Sequence, residues 1–95
     1  MAFPKRVHDP NAVLDYPASW AAWLPAGDTI VDATAVLSGP NADDFTVESV
    51  THTTTHAVAW VSGGVPPRKA DLTFHIVTDD GREDDRSITL VAKER

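Results

Sequence analysis

From residue 28 onward the chain runs in short alternations of apolar and polar positions, rich in Val, Thr, Ile and Phe and broken by Gly, Pro, Asn and Asp. Such a pattern belongs to strands and turns, and helical periodicity is nearly missing. It predicts strands at roughly 28–37, 45–53, 56–62, 70–79 and 84–92, with a short extended piece near 12–16. The breakers are "SGPNADD", "SGGVPPR" and "TDDGREDD". Period-2 spacing puts Leu72, Phe74 and Ile76 on one face of a strand and Ile88 and Leu90 on one face of the next, so the two faces meet across a hairpin. Between them lies Asp80-Gly81, a dipeptide suited to the positive φ of tight turns. Val58 and Trp60 share a face, and the mid-strand position of Trp60 assigns it to the core. Turns every 8–12 residues across six to eight short strands describe an all-β, mostly antiparallel β-sandwich in a single domain.

The stretch "LDYPASWAAWLPAGDTI", residues 14–30, breaks this pattern. Pro17, Ala18 and a capping Ser19 can start a helical turn, and Pro25 disfavours helix at Leu24, so one or two helical turns are expected at 18–24. A spacing of three sets Trp20 and Trp23 on the same side of that turn with Leu24 beside them, as a compact apolar knob. The knob either plugs an end of the sandwich or faces outward as an interface anchor, and the pattern leaves both open.

A chain of 95 residues builds one modest core. No run of about 18 apolar residues is present, so no membrane span is expected. The N-terminal "MAFPKRVHDP" has two basic residues but no apolar stretch after them, which points to a protein made and kept in a cytoplasm until used. Cysteine is absent, removing disulfides, thiolate nucleophiles and Cys-based zinc sites. A formal charge of −6 with eight scattered basic residues argues against nucleic acid.

Candidate chemistry is thin. His52, His56 and His75 raise the possibility of a metal site. On one continuous strand, however, positions four apart lie about 13 Å from each other, and no Gly or Asn marks a hairpin within "TTT". Solvent-facing histidines on a Thr-rich face are the expectation. The acids of "TDDGREDD" lack the alternate spacing and flanking helices of a calcium loop, and a solvated hairpin tip is expected, its arginines and acids locally paired. No strained turn presents a serine nucleophile, and "SGGVPP" lacks a phosphate-loop lysine. Neither catalysis, metal nor cofactor is expected.

Three stretches together, "DPNAVLDYPASWAAWLPAGDTI", "AWVSGG" and "TDDGREDDRSITLVA", resemble the small fiber-tail adaptor proteins of tailed bacteriophages. These carry D-Y-x-x-x-W-x-x-W-L followed by G-D-T-I, then a central W-L-S-G-G and a closing D-G-R-x-x-x-R-S. The resemblance spans most of the chain and is weakest between about 38 and 57. It rests on Asp15, Tyr16, Trp20, Trp23, Leu24, Gly27, Asp28 and Thr29, then on Trp60, Ser62, Gly63 and Gly64, and finally on Gly81, Arg82, Arg86 and Ser87. Val61 stands where Leu is usual, and Leu72 where an aromatic is common, which suggests altered core packing.

The resemblance implies an immunoglobulin-like sandwich serving as a virion tail part, joining tail fibres or related appendages to the tail. Its partners would be other phage tail proteins and the tail fibre, with multiple copies in a symmetric tail assembly. A connector needs two faces, which favours an outward knob: residues 1–27 would form an extended or helical attachment segment, with residues 12–30 making the attachment and Tyr16, Trp20, Trp23 and Leu24 at the interface. The three breaker loops could serve the opposite face. A carbohydrate-binding or adhesive immunoglobulin-like module is the alternative. It would usually show exposed aromatics on a strand face or a calcium site.

Overall fold

The alternation resolves into seven strands in the computed structural model of the chain, which describes residues 4–94. They are β1 (Lys5–His8), β2 (Leu14–Ser19), β3 (Ile30–Ser38), β4 (Phe45–His52), β5 (His56–Gly63), β6 (Lys69–Thr78) and β7 (Glu83–Ala92). Residues 1–3 of the expected attachment segment, and residue 95, lie outside the described residues.

Two sheets form, β1-β7-β6-β3 and β2-β5-β4. Every pairing is antiparallel except that of β1 with β7. Lettered A to G in chain order, the strands reproduce the B-E-D and C-F-G orders of an immunoglobulin-like sandwich, with the first strand moved onto the edge of the last. The architecture is thus an all-β sandwich, compatible with the immunoglobulin-like class. The chain pattern misses β1, because "KRVH" is only four residues long with three of them exposed, and it is a strand by virtue of the free β7 edge it pairs with.

One core lies between the sheets. Ala70, Leu72, Phe74 and Ile76 enter it from β6, Leu90 and Ala92 from β7, with Ile88 half-buried beside them. Leu72, in register with Leu37 and Ile88, is fully buried, as is Val61. Trp60 is a correction. It shares a face with Val58, as the alternation requires, but that face is the outer one, and Trp60 is 39% exposed. The inward positions of β5 are Ala57, Ala59 and Val61. Small residues belong there because Trp20, Phe74, Leu72 and Ile76 already occupy the interior volume.

The loops sort to two ends. At one, the backbone N–H of Trp20 donates to Thr55 O (2.8 Å), that of Ile30 to Thr54 O (2.9 Å) and that of Asp79 to Thr29 O (2.9 Å). This gathers the 20–29 connection with the hairpins at 53–55 and 79–82. At the other end, Gly64 N–H donates to Asp44 O (2.7 Å) and Asn41 Nδ2 to Lys69 O (3.1 Å). "SGPNADD" and "SGGVPPR" therefore do lie opposite the tryptophan segment, whereas "TDDGREDD" packs beside it.

Candidate functional site: the tryptophan turn and the open sheet face

β2 runs through Ser19 because its backbone stays paired with β5 as far as His56. Pro17 is tolerated within it since β2 is an edge strand. The expected one or two helical turns shrink to a single turn, in which the Trp20 carbonyl accepts from the N–H groups of Trp23 and Leu24, both at 2.9 Å. Strand alternation therefore still governs Trp20: Tyr16, Ala18 and Trp20 fall on one inward face, and helical spacing does not apply. The two tryptophans consequently part company, Trp20 being fully buried and Trp23 38% exposed. Among the expected interface residues, Tyr16 is also buried and Leu24 packs half-buried against the core. The single apolar knob is corrected to one ring inside and one outside.

The inner ring organises its end of the sandwich. Trp20 packs edge-on against Phe74 at 6.5 Å, its Nε1 donates to Asp84 Oδ2 (2.9 Å), and the Arg86 guanidinium lies 4.9 Å over its ring. Arg86 also donates to the Ser19 carbonyl. Asp28 ties the connection to the 79–82 hairpin. Its Oδ1 accepts from the backbone N–H of Thr29 (3.0 Å) and of Asp80 (3.1 Å), and its Oδ2 accepts from Arg82 (3.1 Å).

Burial opposes ionisation of Asp28, but hydrogen bonds from the Thr78 side chain, Asp80, Arg82 and Thr29 outweigh it and hold the carboxyl below its ordinary value. A folded value below the unfolded one means that this stabilisation is complete above about pH 4 and is lost as pH falls toward the lower folded value. Asp28→Asn is therefore expected to melt below the parent at pH 7, with the gap closing as the pH drops under about 4. Thermal melts of both proteins across that range check it, and a gap that does not change with pH would contradict the assignment.

The histidines are placed differently from the extended-chain expectation. β4 and β5 do form a hairpin through "TTT", and it needs neither Gly nor Asn because the Thr53 hydroxyl accepts from the N–H groups of Thr55 (3.3 Å) and His56 (3.0 Å). His52 contacts the Thr53 carbonyl and His56 the Thr55 hydroxyl, while His75 stands on the other sheet. There the His75 ring lies between Asp85 and Glu83, whose carboxylates hydrogen-bond it, Asp85 foremost, and raise its pKa. His8, which no sequence signal marks, is buried with Nδ1 2.6 Å from the Tyr16 hydroxyl. Burial lowers its pKa against the opposing charge of Asp9.

The outer face of β2-β5-β4 is the second feature. Trp60 stands at its centre in register with Asp15 on one side and Ser49 on the other. A bulge in β4 between Val47 and Ser49 inserts Glu48 beside it, and the Ser62 hydroxyl donates to that carboxylate.

Of the residues that carry the resemblance, Tyr16, Trp20 and Asp28 are thus buried, while the large aromatics Trp23 and Trp60 face outward. A family model described as podophage GP4 fiber-tail adaptor protein gp77 matches residues 8–91. The chain belongs to that family. A comparison with curated proteins gives no match. Membership in the fiber-tail adaptor family gives the chain a role in the phage tail, in association with tail and fibre proteins, and implies a structural, non-enzymatic part. Among the described residues, no helix is long and apolar enough to cross a membrane.

Proposed function

We propose that this adaptor joins tail fibres or related appendages to the tail, as one of several copies in a symmetric assembly, and that residues 1–27 make one of its attachments through the turn that ends β2. The observation that carries the reading is Trp23, a large aromatic exposed on a turn held rigid from within by Trp20 and Asp28. Rigid aromatic anchors bind with little ordering cost. Tyr16 and Trp20 position the turn, and Trp23 and Leu24 meet the partner. Trp23→Ala is expected to melt within about 0.5 kcal/mol of the parent and to lose incorporation into tails. Normal incorporation of the variant would place the attachment elsewhere.

One observation favours a second reading, that of a carbohydrate-binding or adhesive module: Trp60 is an exposed aromatic on a strand face. Titration with oligosaccharides, followed by tryptophan fluorescence, separates the two readings.

A further inference from the structure

We propose that the outer face of the β2-β5-β4 sheet, centred on Trp60 between Asp15 and Glu48, docks a basic protein surface that lays an arginine or lysine side chain against the indole. The proposal rests on the adaptor reading and deepens it, since it gives the protein a second attachment face and states the chemistry of what binds there.

Trp60 has no role in the core. It projects from the middle of the central strand, with half-buried Val58 and exposed Pro17, themselves in register with each other, completing a small apolar patch. On the β4 side its neighbours are the small polar Ser49 and Thr51, which leave the ring open to approach.

The charge around the patch has one sign. Asp15 lies directly across from Trp60 on β2, and the β4 bulge adds Glu48, fixed by Ser62. Bulges commonly re-aim a side chain in this way. β2, β4 and β5 contain no lysine or arginine at all. Every basic residue lies on β1, β6 or β7, in the loops joined to β6 and β7, or at the C-terminal end. An indole flanked by two carboxylates, with no cation of its own sheet to answer them, offers a cation both the ring face and an ion pair. A second copy fits less well, because each copy carries a net charge of −6 and copies repel.

The test uses the full chain, phage particles assembled without it, and co-sedimentation over salt from about 50 to 300 mM. The parent is expected to bind and to weaken as salt rises. Trp60→Ala and the double variant Asp15→Asn, Glu48→Gln should each bind at least about tenfold more weakly while melting like the parent. If the parent binds and both variants bind equally well, the sheet assignment falls and the adaptor reading stands. Binding that ignores salt and the carboxylates, or that oligosaccharide abolishes, overturns the basic protein partner. So does parent protein that self-associates in sedimentation runs through Trp60. A parent that does not bind the particles at all removes the adaptor reading, and this proposal with it.

Discussion

Trp20→Ala is expected to destabilise the domain by about 3–5 kcal/mol, the range for emptying a large aromatic site in a core. The upper half of that range is the better expectation, because the ring does more than fill volume. It meets Phe74 edge-on, gives Asp84 an indole N–H donor at 2.9 Å, and lies under the Arg86 guanidinium. Removing it leaves Asp84 and Arg86 without the group that organises them. Domains of this size have only about 5–15 kcal/mol in hand, so the variant should be largely unfolded under mild heating. Trp20→Phe keeps most of the volume and loses the donor, and about 1–2 kcal/mol is expected. Urea unfolding of the three proteins gives these differences directly. Trp20→Ala with a parental midpoint would mean that the ring is not part of the core.

The contrast between Trp20 and Trp60 marks the boundary of what the chain pattern reveals. Alternation reports which residues share a face of a strand, and it does so correctly for Val58 and Trp60, but it is blind to which face turns inward when both are apolar. On β5 the choice is between alanines and a tryptophan, and size argues for the wrong side. The deciding fact is the volume supplied by other elements, Phe74 and Trp20 above all, which no local window contains. β6 and β7 offer less ambiguity, since apart from Val77 and Val91 their alternate positions are polar, and Leu72, Phe74, Ile76 and Leu90 lie where the pattern puts them.

The site is less legible for a related reason. Asp28 is a lone acid before a strand, and only the folded chain brings it to Arg82 and the Asp80 N–H across more than fifty positions. The Thr53 turn lacks the Gly or Asn that hairpin rules look for. It is built instead by a hydroxyl that replaces a backbone acceptor. Likewise Trp20 reads as helical from its neighbours, while β-pairing that reaches Ser19 holds it to strand alternation.

Gly63→Ala should produce the second large effect, about 2–4 kcal/mol, out of proportion to a single methyl group. Gly63 closes β5 with φ at +88°, a conformation that costs an L-residue about 1–2 kcal/mol. A Cβ built there would also stand 2.6 Å from the backbone carbonyl oxygen of Asp44, far inside contact distance. That oxygen cannot simply swing aside, because it accepts the Gly64 N–H at 2.7 Å and belongs to the residue just before Phe45, which is in register with Gly63. Relieving the clash therefore strains a hydrogen bond worth about 0.5–1.5 kcal/mol and pushes on the start of β4. Gly81→Ala is the matched control. It has nearly the same φ, +87°, but nothing within 4 Å of the added carbon, so only the conformational cost of about 1–2 kcal/mol is expected. Denaturant midpoints of the two variants separate backbone strain from collision: equal losses would mean that the β5–β4 corner yields freely, and a clearly larger loss at Gly63 would show that the close approach of the two backbones sets that end of the sandwich.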